Sequence, residues 1–358
     1  MKRILLVDDN LATLKHVSAL LAGSCEVVLA KSGGQALSIA AKTVPDLVLL
    51  DVEMPEMDGF EIMAALRRIP SCARIPVIFL TANQDTATQV RALTAGDVDF
   101  IKKPFEKGVL LHRIELHLRL SQYQQGLERT VKDLEDSIIS AFAELIGCRD
   151  GHSGGHVRRT REYVALLGSL LLRENVFPGE LDEAALDMVV RAAPLHDIGK
   201  IGISDIILLK PDKLNEEEFD IVKRHSIIGA RALEKVYERT PTQHYLTYAI
   251  MMAESHHEWF DGRGYPFGLA GEDIPLCSRI LAPANVYDAL TTSTVMRTTP
   301  MGHEEACRII AEGAGGEFDP RITAVFLANA DRFGALKDGL GDSSYGISFQ
   351  MPETAGMT

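Results

Sequence analysis

Short apolar runs recur through the first hundred positions: ILLV (4–7), CEVVLA (25–30), DLVLLD (46–51), PVIFLT (76–81) and DFI (99–101). Each is the length of a strand buried on both faces. Between them lie stretches with apolar residues at helical spacing, such as LATLKHVSALLAG (11–23) and DGFEIMAALRRI (58–69). Alternation of this kind predicts five βα units, hence a parallel sheet with helices on both faces. From about 106 to 145 the pattern becomes one long helix, with Leu116, Leu120, Tyr123, Leu127, Leu134, Ile138, Ala141 and Leu145 at spacings of three, four or seven. That spacing predicts a parallel two-stranded coiled coil, and with it a homodimer. It also fits a single amphipathic helix packed on its own domain. Residues 146–335 read as all-helical. The polar, Gly/Ser-rich segment 337–358 reads as a poorly ordered tail.

Composition narrows this picture. The 358 residues suffice for two or three domains, and a net charge of −13 argues against a general binder of nucleic acid or anionic membrane. The cysteines Cys25, Cys72, Cys148, Cys277 and Cys307 are scattered without a CxxC, so no disulfide framework or zinc knuckle is signalled. This fits a reducing cytoplasm. The opening MKRILLVDDN turns acidic too soon for a signal peptide, and no apolar run approaches the roughly 18 residues that span a bilayer.

Chemistry-bearing residues collect at the strand ends. Asp8 and Asp9 follow the first strand, Asp51 ends the third, Thr81 the fourth, and Lys103 follows the fifth. In a parallel sheet these ends converge, where open α/β sheets bind ligands. Three carboxylates close together would repel unless they hold a hard cation such as Mg²⁺. With such a cation, Asp51 could attack a phosphoryl group while Lys103 and Thr81 meet its oxygens. In these positions residues 1–119 resemble the receiver domain of bacterial two-component response regulators. The resemblance implies a flavodoxin-like α/β fold and a sensor histidine kinase as phosphodonor. It further implies Asp51 as phosphoacceptor, with Asp8, Asp9, Asp51 and the backbone carbonyl of Glu53 around Mg²⁺. Thr81, Phe100 and Lys103 would stand at the switch positions.

The second concentration is of histidine. Seven of the eleven histidines fall between 152 and 257, six of them in RDGHSGGHVRR, LHDIGK, VKRHSIIGA and AESHHEWFDGRGYP. Imidazoles with one carboxylate suit Fe, Mn, Ni or Zn better than Mg or Ca. Six or more ligands exceed one tetrahedral ion, and an Asp among them could bridge a pair that clamps a phosphodiester and activates a water. His16, His112, His117, His244 and His303 are read as ordinary surface or core residues, and His152 stays undecided.

This half is similar to the HD-GYP family of cyclic di-GMP phosphodiesterases, over roughly 141–335. The matching segments are HDIGKIGISDIILLKPDKLNEEEF, HSIIGA, HHEWFDGRGYPFGLAGEDIPLCSRI and FDPRI. The resemblance implies an all-α domain and two transition-metal ions, iron or manganese first. His156, His196, Asp197, His225, His256 and His257 would be their ligands, with Asp197 bridging. Lys200 would contact the scissile phosphate, with Lys200 and Asp197 the catalytic residues. Gly264, Tyr265 and Pro266 form the motif that names the family, and the glycines flanking Arg263 support a tight turn.

Three positions depart from the family pattern. Asn285 stands where ADVYDAL places a metal-binding Asp. His152 stands where some members carry a Glu for a third ion, so two ions are expected. Thr294 stands where a phosphate-binding Arg is common, while Arg297 falls where a second basic residue is common and would bind substrate.

The whole chain therefore reads as a receiver domain (1–119), a linker helix (120–140) and an HD-GYP domain (141–336) that hydrolyses cyclic di-GMP to pGpG and GMP. Two other readings stay open. Asn285 and Thr294 would suit an effector that binds the dinucleotide or a protein without turnover. Related folds also hydrolyse other phosphate esters, against which the Gly-Tyr-Pro segment argues.

Overall fold

The computed structural model describes residues 1–82, 98–149, 155–210, 212–293 and 299–340. The chain forms two compact units, Met1–Lys132 and Asp133–Thr358.

In the first unit β1 (Arg3–Val7), β2 (Glu26–Ala30), β3 (Leu47–Asp51), β4 (Val77–Thr81) and β5 (Val98–Lys102) form a parallel sheet in the order β2-β1-β3-β4-β5. The apolar runs carry no polar alternation because both faces are covered. Leu5, Val7, Val48, Leu50, Val77 and Phe79 face α2 (Gly33–Lys42) and α3 (Gly59–Arg67). Their neighbours Ile4, Leu6, Leu47, Leu49, Ile78 and Leu80 face α1 (Leu11–Leu21) and the start of α4 (Lys107–Arg149). Side chains alternate across a strand, so one run feeds two cores. Asn10 and Asp58 cap α1 and α3, the latter with a capping box to Glu61, and so fix where the chain leaves the ends of β1 and β3.

The helix α4 runs unbroken to Arg149. Leu110, Ile114 and Leu118 are buried against the sheet. Another line of its apolar residues is exposed: Leu116, Leu120, Tyr123, Leu127, Val131, Leu134, Ile138, Phe142 and Leu145. Ala141 of the expected stripe is exposed as well, and Val131 and Phe142 add to that stripe. With these two the stripe repeats every eleven residues, as in Leu120, Val131 and Phe142, or Tyr123, Leu134 and Leu145. Eleven residues at 3.67 per turn suit a straight or slightly right-handed pair of helices, rather than the left-handed heptad coil.

The second unit is helical, as expected: α5 (His156–Arg173), α6 (Glu183–Ala192), α7 (Asp205–Leu208), α8 (Glu216–Lys223), α9 (His225–Arg239), α10 (Tyr245–Ser255), α11 (Leu276–Thr291), α12 (His303–Glu312), α13 (Pro320–Ala328) and α14 (Ala330–Leu340). One core joins them, around Tyr163, Leu167, Ala249, Ile280, Tyr287, Phe326 and Phe333. The start of the expected tail is instead helical, since α14 runs to Leu340; residues 341–358 lie outside the described residues. No described helix is long and apolar enough to cross a membrane. Cys25, Cys72, Cys277 and Cys307 are free thiols.

Candidate active site and receiver pocket

At the carboxyl ends of β1 and β3, Asp8, Asp9 and Asp51 bring one carboxylate oxygen each within 4.8 Å of one another. Asp8 and Asp51 are buried and Asp9 is exposed. Lys103 reaches in from the end of β5 and donates to both buried carboxylates at 2.8 Å. Burial pushes the Asp51 carboxyl up; the Lys103 ammonium and the Glu53 N–H oppose this without cancelling it. Burial works against the Lys103 charge, yet Asp51 and Asp8 hold its pKa above the ordinary value. One ammonium cannot balance three carboxylates, so the donor set fits a hard divalent cation. Thr81 is buried at the end of β4, and Glu53 is exposed two residues beyond Asp51. Phe100 stacks on Phe79, their centroids 5.4 Å apart.

In the second unit two clusters share Asp197: one with His156 and His196, the other with His225, His256 and His257. The segment that supplies His196 and Asp197 is not a regular helix. Two 3-10 turns, Ala193–Leu195 and Ile198–Gly202, leave the pair at the break between them. Both side chains thereby point into one space, with His196 Nε2 3.2 Å from Asp197 Oδ2. The turn also brings Lys200 Nζ back to 2.9 Å from Asp197. Gly199 makes this packing possible. A Cβ there would overlap the carbonyl of His225 and the backbone of Gly229, so a backbone contact sets the distance between Asp197 and His225. The HDIGK and HSIIGA segments are thus two sides of one contact.

The rings are oriented from behind. His196 Nδ1 donates to Ala193 O at 2.8 Å, His225 Nδ1 to Val222 O at 2.6 Å, and His256 Nδ1 to Met252 O at 2.9 Å. A carbonyl can only accept, so each Nδ1 carries a proton and Nε2 is the ring atom turned toward the site. His225 Nε2 and His256 Nε2 face each other at 3.4 Å and lie 3.4 and 3.5 Å from Asp197 Oδ1. Among the described residues, buried Asp197 Oδ1 and His196 Nε2 have no hydrogen-bond partner. A buried carboxylate oxygen ringed by imidazole Nε2 atoms is a donor set that a bound cation would satisfy, so the residues fit divalent metal. Burial pushes the His256 imidazole down to about 4, and burial and then His256 depress His257. Burial alone would raise Asp197, but Lys200 and then His196 hold it well below the usual carboxylate range.

His156 is held differently, and the sequence reading missed how. Its Nδ1 donates to Asp288 at 2.6 Å, and Arg159 Nε donates to the other oxygen at 2.7 Å. All three are buried. Asp288 lies one turn after Asn285 on α11; the half-buried Asn285 is placed on the same helix as the His156 support. The i, i+3 pair of Asn285 and Asp288 was the available signal.

The Gly-Tyr-Pro loop closes one side. Tyr265 stacks on His257 at 4.6 Å between centroids, and its N–H donates to His257 O. The buried Glu258 accepts from the N–H groups of Phe267 and Leu269. Gly262 has φ +84°, and a Cβ on Gly264 would collide with the backbone of His257–Trp259. In the FDPRI segment, Asp319 caps α13 and accepts from Arg279 at 2.8 Å, a structural role. His117 binds Asp99 and His303 binds Tyr287, away from the metal-ligand set. His152, Thr294 and Arg297 lie outside the described residues.

A family model described as the response regulator receiver domain matches residues 4–115, and one described as an HD domain matches 140–322. The chain is 39% identical over 345 residues to a probable cyclic di-GMP phosphodiesterase of Vibrio cholerae, covering 92% of this chain and 78% of that protein. It is 34% identical to the cyclic di-GMP phosphodiesterase response regulator RpfG of Xanthomonas campestris, covering 90% and 86%. A cyclic di-GMP phosphodiesterase of Thermotoga maritima is 32% identical, covering 90% and 89%. The chain therefore belongs to the HD-domain response regulators, with a receiver domain ahead of the HD domain.

Proposed function

We propose that this chain is a phosphorylation-controlled phosphodiesterase that hydrolyses cyclic di-GMP to pGpG and GMP. The observation that carries the reading is the convergence of His156, His196, His225, His256 and His257 on Asp197, with Lys200 beside it. Relatives that bear this activity in their names align along nearly the whole chain.

We assign the receiver to 1–119, the linker helix to 120–140 and the hydrolase domain to 141–336. Asp51 takes a phosphoryl group from a sensor histidine kinase, with Asp8, Asp9, Asp51 and Glu53 around Mg²⁺. Lys103, Thr81 and Phe100 respond to the new charge. In the hydrolase site His156, His196, Asp197, His225, His256, His257 and Asn285 hold two transition-metal ions, iron or manganese. Such ions, when bound, polarise a phosphodiester and lower the pKa of a water. Asp197 supplies the negative charge shared by both clusters. Lys200 offers its ammonium to the phosphate oxygens, where charge grows as the P–O bond breaks. Tyr265 fixes the His257 ring by stacking. Arg297 binds substrate. The exposed stripe on α4 supports pairing with a second copy, since Leu120, Leu127, Leu134, Ile138 and Leu145 remain between 47 and 58% exposed.

The test is anaerobic purification, a metal count per chain, and the loss of cyclic di-GMP with and without a small-molecule phosphodonor. Two transition-metal ions and turnover that disappears in Asp197→Ala are expected. A fully metal-loaded protein that leaves cyclic di-GMP intact under both conditions would overturn the reading. Binding without turnover is the second reading, favoured by one observation: Asn285 brings a neutral amide where a carboxylate would add charge at a dication. An inactive parent in which Asn285→Asp restores turnover would establish it.

A further inference from the structure

The end of α4 touches the candidate active site at one residue that no assigned role explains. Arg149, the last residue of that helix, donates through Nε to Asp205 Oδ1 at 2.6 Å. Its Nη1 donates to Ile201 O at 2.9 Å and Lys200 O at 3.3 Å, and its Nη2 to Ile203 O at 2.7 Å. One guanidinium thus meets three consecutive or near-consecutive carbonyls and a carboxylate, all within six residues of chain.

Those carbonyls belong to the end of the 3-10 turn Ile198–Gly202 and the residue after it. The last carbonyls of any helical turn lack partners within it and face a cost if left unpaired. A planar fork of five N–H donors can satisfy several of them at once, and a cation at a carboxyl end is favoured. Lys200 sits within this turn, 2.9 Å from Asp197. Upstream, Gly199 pins the turn to α9 by backbone contact. Downstream, Arg149 is its tether. The same last turns of α4 contribute Ala143, Ile146 and Gly147 to the wall of the cavity that contains His156, His196 and Lys200.

We propose that Arg149 is a positioning residue for catalysis: it clamps the Lys200 turn so that the Lys200 ammonium is held where the phosphate charge develops. The proposal rests on the phosphodiesterase reading for its catalytic half, while the clamp itself can be tested without any turnover.

The experiment uses the full-length, metal-loaded chain with Arg149→Ala and Arg149→Lys. Hydrogen–deuterium exchange of the amides in 199–204 should rise in Arg149→Ala, with the metal count equal to the parent's. If exchange in that segment stays at the parent level, the clamp is overturned whatever the enzyme does. For cyclic di-GMP hydrolysis, kcat should fall about ten- to hundredfold, because small misplacement of a charge-stabilising group costs that much. KM should change far less, since the loss is confined to the transition state. Arg149→Lys should recover part of the rate, as one ammonium can meet some of the four acceptors. In a Lys200→Ala background, Arg149→Ala should cost almost nothing more. A full multiplicative loss there, or a parental kcat despite faster exchange, would overturn the positioning role. A parent that turns over no cyclic di-GMP would sink the phosphodiesterase reading, and exchange would still decide the clamp. Should Arg149→Ala fail to fold, Asp205→Ala removes one of the four acceptors and should raise exchange in the same segment to a smaller degree; no rise would overturn the clamp.

Discussion

Asp288 grips His156 and Arg159 together, one carboxylate oxygen 2.6 Å from the imidazole Nδ1 and the other 2.7 Å from the guanidinium Nε. The grip leaves His156 Nε2 as the ring atom available to the Asp197 side. Replacing Asp288 by Asn should weaken metal retention about ten- to hundredfold, the usual cost of losing a support behind a ligating histidine. Chelator competition followed by metal analysis measures it. Parental retention in a folded Asp288→Asn protein would show that His156 is oriented by other means.

Gly199→Ala should be among the costliest single changes in the second unit. Its Cβ would meet backbone atoms of His225 and Gly229, which cannot swing aside as a side chain could. Overpacking of this kind costs about 1–3 kcal/mol or more. Urea denaturation should report the loss, and metal content should fall with it. An unchanged midpoint would mean that α9 can retreat freely.

Asp51 should be the sole site labelled by a small-molecule phosphodonor with Mg²⁺, since it ends β3 with Lys103 bonded to it and Asp8 and Asp9 beside it. Asp51→Ala should label at background level. Equal labelling of parent and variant would remove the receiver role of this residue.

The α4 stripe should pair two chains. Solution mass should be twice the 39.2 kDa of the chain, and Leu127→Glu with Leu134→Glu should return it to one. These side chains are exposed on the helix, so folding of either unit should survive the double change. A parent that is monomeric at high concentration, phosphorylated or not, would exclude the pairing.

Asp319 gives an expectation for acid. Burial works to raise its carboxyl, but Arg321 and Arg279 hold it below the ordinary value. A carboxyl depressed in the folded state stabilises above its unfolded pKa of about 3.9, and that stability is lost as pH falls through the folded value. The second unit should therefore weaken below about pH 4. Asp319→Asn should be less stable at neutral pH by about 1–3 kcal/mol and show a flatter acid limb. Parallel acid limbs in variant and parent would assign the acid sensitivity to other groups.

Much of this was legible in residue order. The strands announced themselves because β3 and β4 are buried at every position, leaving no polar alternation to confuse them. Residue type pointed to a histidine-rich site, and the resemblance to the HD-GYP family named the six ligand candidates other than Asn285. What stayed hidden depends on groups that carry no pattern. Asp288 and Arg159 act from behind a ligand, across more than a hundred residues of chain. The acceptors of Arg149 are mostly backbone carbonyls, which every residue possesses. Val131 and Phe142 were not named in the α4 stripe because apolar residue type alone does not separate a repeat of eleven from one of seven; both are exposed.

The carbonyls behind His196, His225 and His256 have a further consequence. Each ring is immobilised by the fold and not by anything it coordinates, so loading the site should require little reorganisation. The three Nδ1 protons are buried donors shielded from solvent. In a chelated sample they should persist as slowly exchanging imidazole resonances in the nitrogen-15 spectrum, and the pocket could be watched assembling during refolding before any ion is supplied.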